Sequence, residues 1–142
     1  MTTSEKGVKM IASFEGCRLT AYLDVAGVPT IGFGHTAGVK MGDVITKEQA
    51  LHMLAKDLKK FEKHVNGYNK IYNFTQNEFD ALVSFAYNIG NIKQLTASGT
   101  RSKTQIAAKM LLYVKAGGKR IPGLVNRRQK ERNLFVTGGY PI

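Results

Sequence analysis

Residues 15–36 read EGCRLTAYLDVAGVPTIGFGHT, and the fold turns on how this stretch is parsed. Just before it, Thr3-Ser4-Glu5 offers an N-cap, and Val8, Ile11 and Phe14 recur at helical spacing. Residues 4–14 are therefore predicted to form a short helix that Gly16 ends. Leu19-Thr20-Ala21-Tyr22-Leu23 is short and β-prone, Val25–Pro29 breaks it, and Thr30-Ile31-Gly32-Phe33-Gly34 resumes. That pattern predicts a hairpin-like pair of strands, with a glycine-containing loop beyond it to Asp43.

Downstream the periodicity is helical. Thr46-Lys-Glu-Gln49 is a capping box opening a helix to about Val65, with Leu51, Leu54, Leu58 and Phe61 inward. Thr75-Gln-Asn-Glu78 opens a second, carrying Phe79, Leu82, Val83 and Ala86 and ended by Gly90. Ser102-Lys-Thr-Gln105 opens a third, stopped by Gly117-Gly118, and a last basic helix runs from about Leu124 to Val136. The expected architecture is mixed α+β and mostly helical: a small N-terminal hairpin lobe, then a larger helical lobe. The 142 residues fit one domain, 1–142, and 43% hydrophobic content suffices for a core.

Composition narrows the function. No apolar run approaches the roughly 18 residues of a membrane span, and the N-terminus lacks the apolar stretch of a signal peptide. The single cysteine, Cys17, has no internal disulfide partner and is expected to be a small packing residue. Lys and Arg number 21 against 10 Asp and Glu, a net charge of +11 that favours polyanionic partners. Six of these cations, Lys119, Arg120, Arg127, Arg128, Lys130 and Arg132, cluster in the last segment. They are read as a solvated helix face plus one arginine reaching the site. Cys17, His35, His52 and His64 lack zinc-ligand spacing, so no metal and no cofactor are expected. Gly32-Phe-Gly34 does not extend to a dinucleotide fingerprint.

Glu15 and Asp24 are the residues most suited to chemistry. On one continuous helix their nine-residue spacing would put them on opposite faces. With Gly16 ending the helix, the chain can turn and bring Asp24 back towards Glu15, with Thr30 across the hairpin from Asp24. A Glu, an Asp and a hydroxyl form an acid–base pair able to hold a water. On spacing alone, exposed carboxylates that merely solvate a surface fit equally.

The run Glu15…Asp24…Thr30 followed by Gly32-x-Gly34-His35-Thr36 resembles the catalytic motif of phage-type lysozymes, the endolysins of glycoside hydrolase family 24. Ile45–Ala50, Phe85–Gly90 and Ala116–Glu131 resemble further blocks of that family, so the likeness spans roughly residues 4–138. It implies a lysozyme-like fold with the cleft between the two lobes. The implied reaction is hydrolysis of the β-1,4 bond between N-acetylmuramic acid and N-acetylglucosamine in peptidoglycan. By the same resemblance Glu15 is the general acid, Asp24 activates or orients water, and Thr30 helps hold it. The carboxyls are then expected roughly 6.5–9.5 Å apart, giving inversion. Arg127 is expected to approach Glu15, and His35 with Asp57 to brace the hairpin as an ion pair or hydrogen bond. Thr36, Tyr87 and Asn88 fall at sugar-contacting or cleft-lining positions, where rim or core roles are equally open. The chain has no tryptophan, and Tyr113 stands where many relatives carry one.

Such an enzyme is expected to accumulate as a monomer in the host cytoplasm. It reaches the wall after the membrane is permeabilised, with a holin-type partner, and its charge draws it to the anionic envelope. The rival on the same bond is a lytic transglycosylase, which forms an anhydro-sugar and needs only one acid. The rival from another class is a basic nucleic-acid-binding module, which calls for exposed aromatics among the cations; no nucleic-acid partner is expected.

Overall fold

A computed structural model describes residues 1–141; Ile142, the end of the predicted 1–142 domain, lies outside the described residues. Helix α1 (Glu5–Phe14) is capped by Ser4, whose hydroxyl accepts the Gly7 N–H at 3.0 Å. The helix stops at Glu15, which is already extended (φ −98°, ψ 138°). Strand β1 (Arg18–Leu23) then pairs antiparallel with β2 (Pro29–Gly32). The register sets Leu23 opposite Pro29 and Tyr22 opposite Thr30, so Thr30 faces Tyr22 across the hairpin and not Asp24, the partner expected from the sequence. Asp24 lies one residue beyond the paired strand, inside the turn.

The second strand is also shorter than predicted. Gly32 and Gly34 both take positive φ (67° and 88°), and the chain folds back so that His35 and Ile31 exchange backbone hydrogen bonds of 2.9 Å. Gly32 is required here, because a Cβ would lie 3.3 Å from the Ala50 Cβ in a left-handed backbone.

The helical part follows the capping signals closely. Full capping boxes open α2 (Lys47–Asp57), α5 (Gln76–Ile89) and α6 (Lys103–Met110) at Thr46, Thr75 and Ser102. The single helix expected to Val65 is broken at Leu58 into α2 and α3 (Lys59–Asn66), and a short α4 (Asn69–Tyr72) follows. Leu54, Leu58 and Val65 remain buried on both sides of the break. Helix α6 ends well before Gly117. Those glycines instead turn a two-residue hairpin, β3 (Lys115–Ala116) with β4 (Lys119–Arg120), both at positive φ. Helix α7 (Pro122–Thr137) starts with proline in its first turn.

The core lies where α5, wholly buried from Phe79 to Ala86, meets α1, α3 and α7. Ile11, Phe85, Ile106, Met110 and Leu134 are among its fully buried members. Tyr113, partly buried, meets Phe85 edge to face at 5.0 Å and packs its ring against the core. No helix among the described residues is long and apolar enough to cross a membrane.

Candidate active site

Glu15 projects from the abrupt end of α1, its side chain 27% exposed. One oxygen, Oε2, accepts from Nη1 of Arg127 at 2.8 Å; among the described residues the other, Oε1, makes no hydrogen bond. Arg127, predicted to approach Glu15, does so across 112 positions of sequence. It is 4% exposed and is held along its remaining edges. Its Nη2 donates to the Ser84 carbonyl at 3.0 Å and its Nε to Glu131 Oε2 at 3.1 Å. The guanidinium lies 4.7 Å from the Phe14 ring.

Asp24 is engaged in the turn it occupies. Its Oδ1 accepts the N–H groups of Ala26 (2.8 Å) and Val28 (2.9 Å), closing the loop between the strands. Its Oδ2 makes no hydrogen bond among the described residues. Thr30 is buried, and its hydroxyl donates to the Val28 carbonyl at 2.9 Å. Its proton is thereby engaged while its oxygen can still accept. Val28 thus links the two: its N–H serves Asp24 and its carbonyl serves Thr30.

His35 and Asp57 meet as expected, Nδ1 to Oδ2 at 2.8 Å, and the other ring nitrogen lies 2.9 Å from the Ala37 carbonyl. Beside them, Gly34, Thr36 and Ala37 of the hairpin segment face Asp57, Phe61 and Tyr87 of the helices across a cavity of about 510 Å³. Tyr87 donates to the Phe33 carbonyl at 3.1 Å and packs edge to face on Phe61 at 5.4 Å. Burial, reinforced by the Glu15 and Asp57 carboxylates, pushes its phenol up to about 12. Asn88 is exposed, and its Oδ1 accepts from Nη2 of Arg128. Eight of the nine predicted site residues therefore form three local groups: Glu15 with Arg127, Asp24 with Thr30, and Thr36, Tyr87 and the His35-bonded Asp57 at the cavity; Asn88 stands apart on Arg128.

Two expectations are corrected. Arg128 is not on a solvated face: it is 0% exposed, and its Nε lies 3.1 Å from Oε1 of Glu131, itself 0% exposed. Burial raises the Glu131 carboxyl above the usual range, opposed by both guanidiniums and the Ser84 hydroxyl. Cys17 is exposed rather than packed and shares a second cavity with Glu15, Phe33 and Leu51. Glu131 and Ser84 escaped the sequence reading altogether. Their signal was faint: a carboxylate at i,i+4 and i,i+3 from two arginines on a helix otherwise read as solvated. Among the described residues no three His, Cys, Asp or Glu side chains gather as a metal site.

The chain matches the phage lysozyme family over residues 12–131. It is 40% identical to the endolysin of Acyrthosiphon pisum secondary endosymbiont phage 1, covering 96% of this chain and 99% of that one. It is 44% identical to the endolysin of Lactococcus phage c2 across 95% of this chain, and spans 60% of that longer protein. Among solved structures, the muramidase domain of SpmX from Asticaccaulis excentricus superposes with a TM-score of 0.84 at 34% identity, covering 96% and 98% of the two chains.

Proposed function

The chain belongs to the phage lysozyme family, and from that premise we infer that it is a peptidoglycan hydrolase cutting the β-1,4 bond between N-acetylmuramic acid and N-acetylglucosamine. The observation that carries this reading is the Glu15–Arg127 contact. With Oε2 engaged by the guanidinium, the proton to be transferred sits on Oε1, and Oε1 delivers it to the glycosidic oxygen as the bond to the muramic acid carbon breaks. On the opposite face a water lies between Thr30 and Asp24. Because the Thr30 proton is held by Val28, Thr30 Oγ1 accepts a hydrogen bond from that water, while Asp24 Oδ2 takes the other proton as the oxygen attacks. The product carries the inverted configuration, which requires the two carboxyls to stand roughly 6.5–9.5 Å apart.

In this reading the glycan runs across the junction of the lobes, with Thr36 and Tyr87 against its sugars and His35–Asp57 bracing the wall of the cavity. Asn88 then acts at its edge. The whole chain, 1–142, works as one domain and as a monomer. Its charge of +11 draws it to the anionic envelope, an attraction that weakens as salt rises. It reaches the wall from the host cytoplasm once the membrane is permeabilised, with a holin-type partner.

Digestion of purified peptidoglycan by wild type and by Glu15→Gln, with fragments weighed by mass spectrometry, tests the assignment. Reducing muropeptides carrying an added water, absent with the variant, are expected. Anhydro fragments would make the protein a lytic transglycosylase. Fragments that do not depend on Glu15 would remove the general acid from the reading.

A further inference from the structure

Arg127 reaches Glu15 from a site that is itself unusually costly to build. Its guanidinium, the neighbouring Arg128 and Glu131 are all almost or wholly excluded from water, where each unpaired charge would be strongly disfavoured. One atom holds the group together. Glu131 Oε2 accepts from Arg127 Nε at 3.1 Å and from the Ser84 hydroxyl at 2.5 Å. Glu131 Oε1 faces Arg128 Nε at 3.1 Å, and the Ser84 carbonyl takes Arg127 Nη2 at 3.0 Å. Two of the three nitrogens of the Arg127 guanidinium are thus engaged by the buried helices α5 and α7, leaving Nη1 aimed at Glu15.

We propose that Glu131 and Ser84 are positioning residues for the general acid: they fix the Arg127 guanidinium so that it occupies Glu15 Oε2 and keeps Oε1 as the proton-bearing oxygen. The proposal rests on the assignment of Glu15 as the acid. An arginine free to rotate loses considerable rotamer entropy each time it engages a carboxylate. Here that ordering is complete on folding, so nothing need be ordered at the moment of proton transfer. The geometry is demanding because two donors, Ser84 O–H and Arg127 Nε, converge on Glu131 Oε2 while the Arg128 guanidinium stands at ion-pair distance from Oε1. An amide in place of the carboxylate has one acceptor oxygen and turns an N–H₂ towards the cations. At least one guanidinium must then loosen.

The test measures kcat and KM on soluble glycan strands, with melting temperature alongside, for wild type, Glu131→Gln, Ser84→Ala, Arg127→Ala, the double variant Arg127→Ala/Glu131→Gln, and Glu15→Gln. Glu131→Gln is expected to lower kcat about tenfold with KM within about twofold, the scale of a small misplacement at a reacting group. In the Arg127→Ala background the same substitution is expected to change kcat by less than about twofold, because its route to Glu15 has gone. A Glu131 that only stabilises the core would lower the melting temperature and leave kcat unchanged, or its effect would multiply independently with that of Arg127→Ala; either result overturns the proposal. Should Glu131→Gln fail to fold, Ser84→Ala and its double variant with Arg127→Ala decide by the same criterion, with about a threefold loss of kcat expected. Full activity in Glu15→Gln would overturn the underlying assignment instead. Loss of activity there, with Glu131→Gln and Ser84→Ala at wild-type kcat, would overturn the positioning role alone.

Discussion

His35 and Asp57 join the glycine-rich end of the hairpin segment to the last residue of α2 through a 2.8 Å contact, one position before that helix breaks at Leu58. Both side chains are mostly sheltered, at 16% and 29% exposure, so the contact has structural weight that an open surface pair lacks. Asp57→Asn is expected to cost about 1–2 kcal/mol, seen as a lower urea midpoint at unchanged slope. It is also expected to raise KM more than it lowers kcat, because it loosens a wall of the cavity. A kcat as low as that of Glu15→Gln would place Asp57 in the chemistry and end the bracing role.

The turn contacts of Asp24 can be separated from its proposed part in activating water. Asparagine retains an oxygen that can accept from Ala26 and Val28, so Asp24→Asn should melt within a few degrees of wild type while losing about a hundredfold or more in rate. Alanine leaves both N–H groups without their acceptor and should cost about 1–2 kcal/mol as well. Melting curves and fragment release on the same two samples check this. An asparagine variant with more than about a tenth of wild-type rate would remove Asp24 from water activation.

The Tyr87 phenol predicts an alkaline signature. Its folded-state value, about 12, lies above the ordinary 10 of an unfolded chain, so the neutral phenol is favoured by folding. Its contribution is complete below pH 10 and is lost as pH rises from 10 towards 12. Ionisation would also end its donation to the Phe33 carbonyl. Tyrosinate absorbance should therefore show a late-titrating component that shrinks in Tyr87→Phe, and that variant should lose less stability than wild type over the same interval. Titration of all the tyrosines near 10 would contradict the buried donor.

Gly32→Ala should be harmful although alanine is small. The substitution forces a side chain into φ +67° and sets its Cβ 3.3 Å from that of Ala50. A cost of about 1–3 kcal/mol, read as a drop in melting temperature, is expected from the strain and contact together. An unchanged melting temperature would mean that α2 can give way.

Features governed by neighbouring residues were legible in the sequence. The caps at Thr46, Thr75 and Ser102, the stop after Phe14 and the paired strands around Val25–Pro29 all lie where local chemistry puts them. The break at Leu58 was hidden because Leu54, Leu58 and Val65 share one buried face, so the apolar rhythm continues through it. Gly117-Gly118 ends a helical pattern and equally suits a two-residue hairpin turn; only the paired backbone of Lys115–Ala116 and Lys119–Arg120 decides. In the site, Glu15 with Arg127 and His35 with Asp57 followed from the resemblance. Glu131 did not, because a charge on a helix reads as solvated until its partners are known, and Ser84 lies 47 residues away.

The long sequence separation between Glu15 and Arg127 has a temporal consequence. Ribosomes deliver the Glu15 carboxyl 112 positions before the guanidinium that contacts it. Until α7 has emerged and packed against α5, a growing chain presents Glu15, Asp24 and Thr30 without the guanidinium that contacts the first of them. A fragment cut short before Pro122 is left in the same condition. The Glu15–Arg127 contact is thus deferred until α7 has been made, and it forms only in a chain that carries its partner helix.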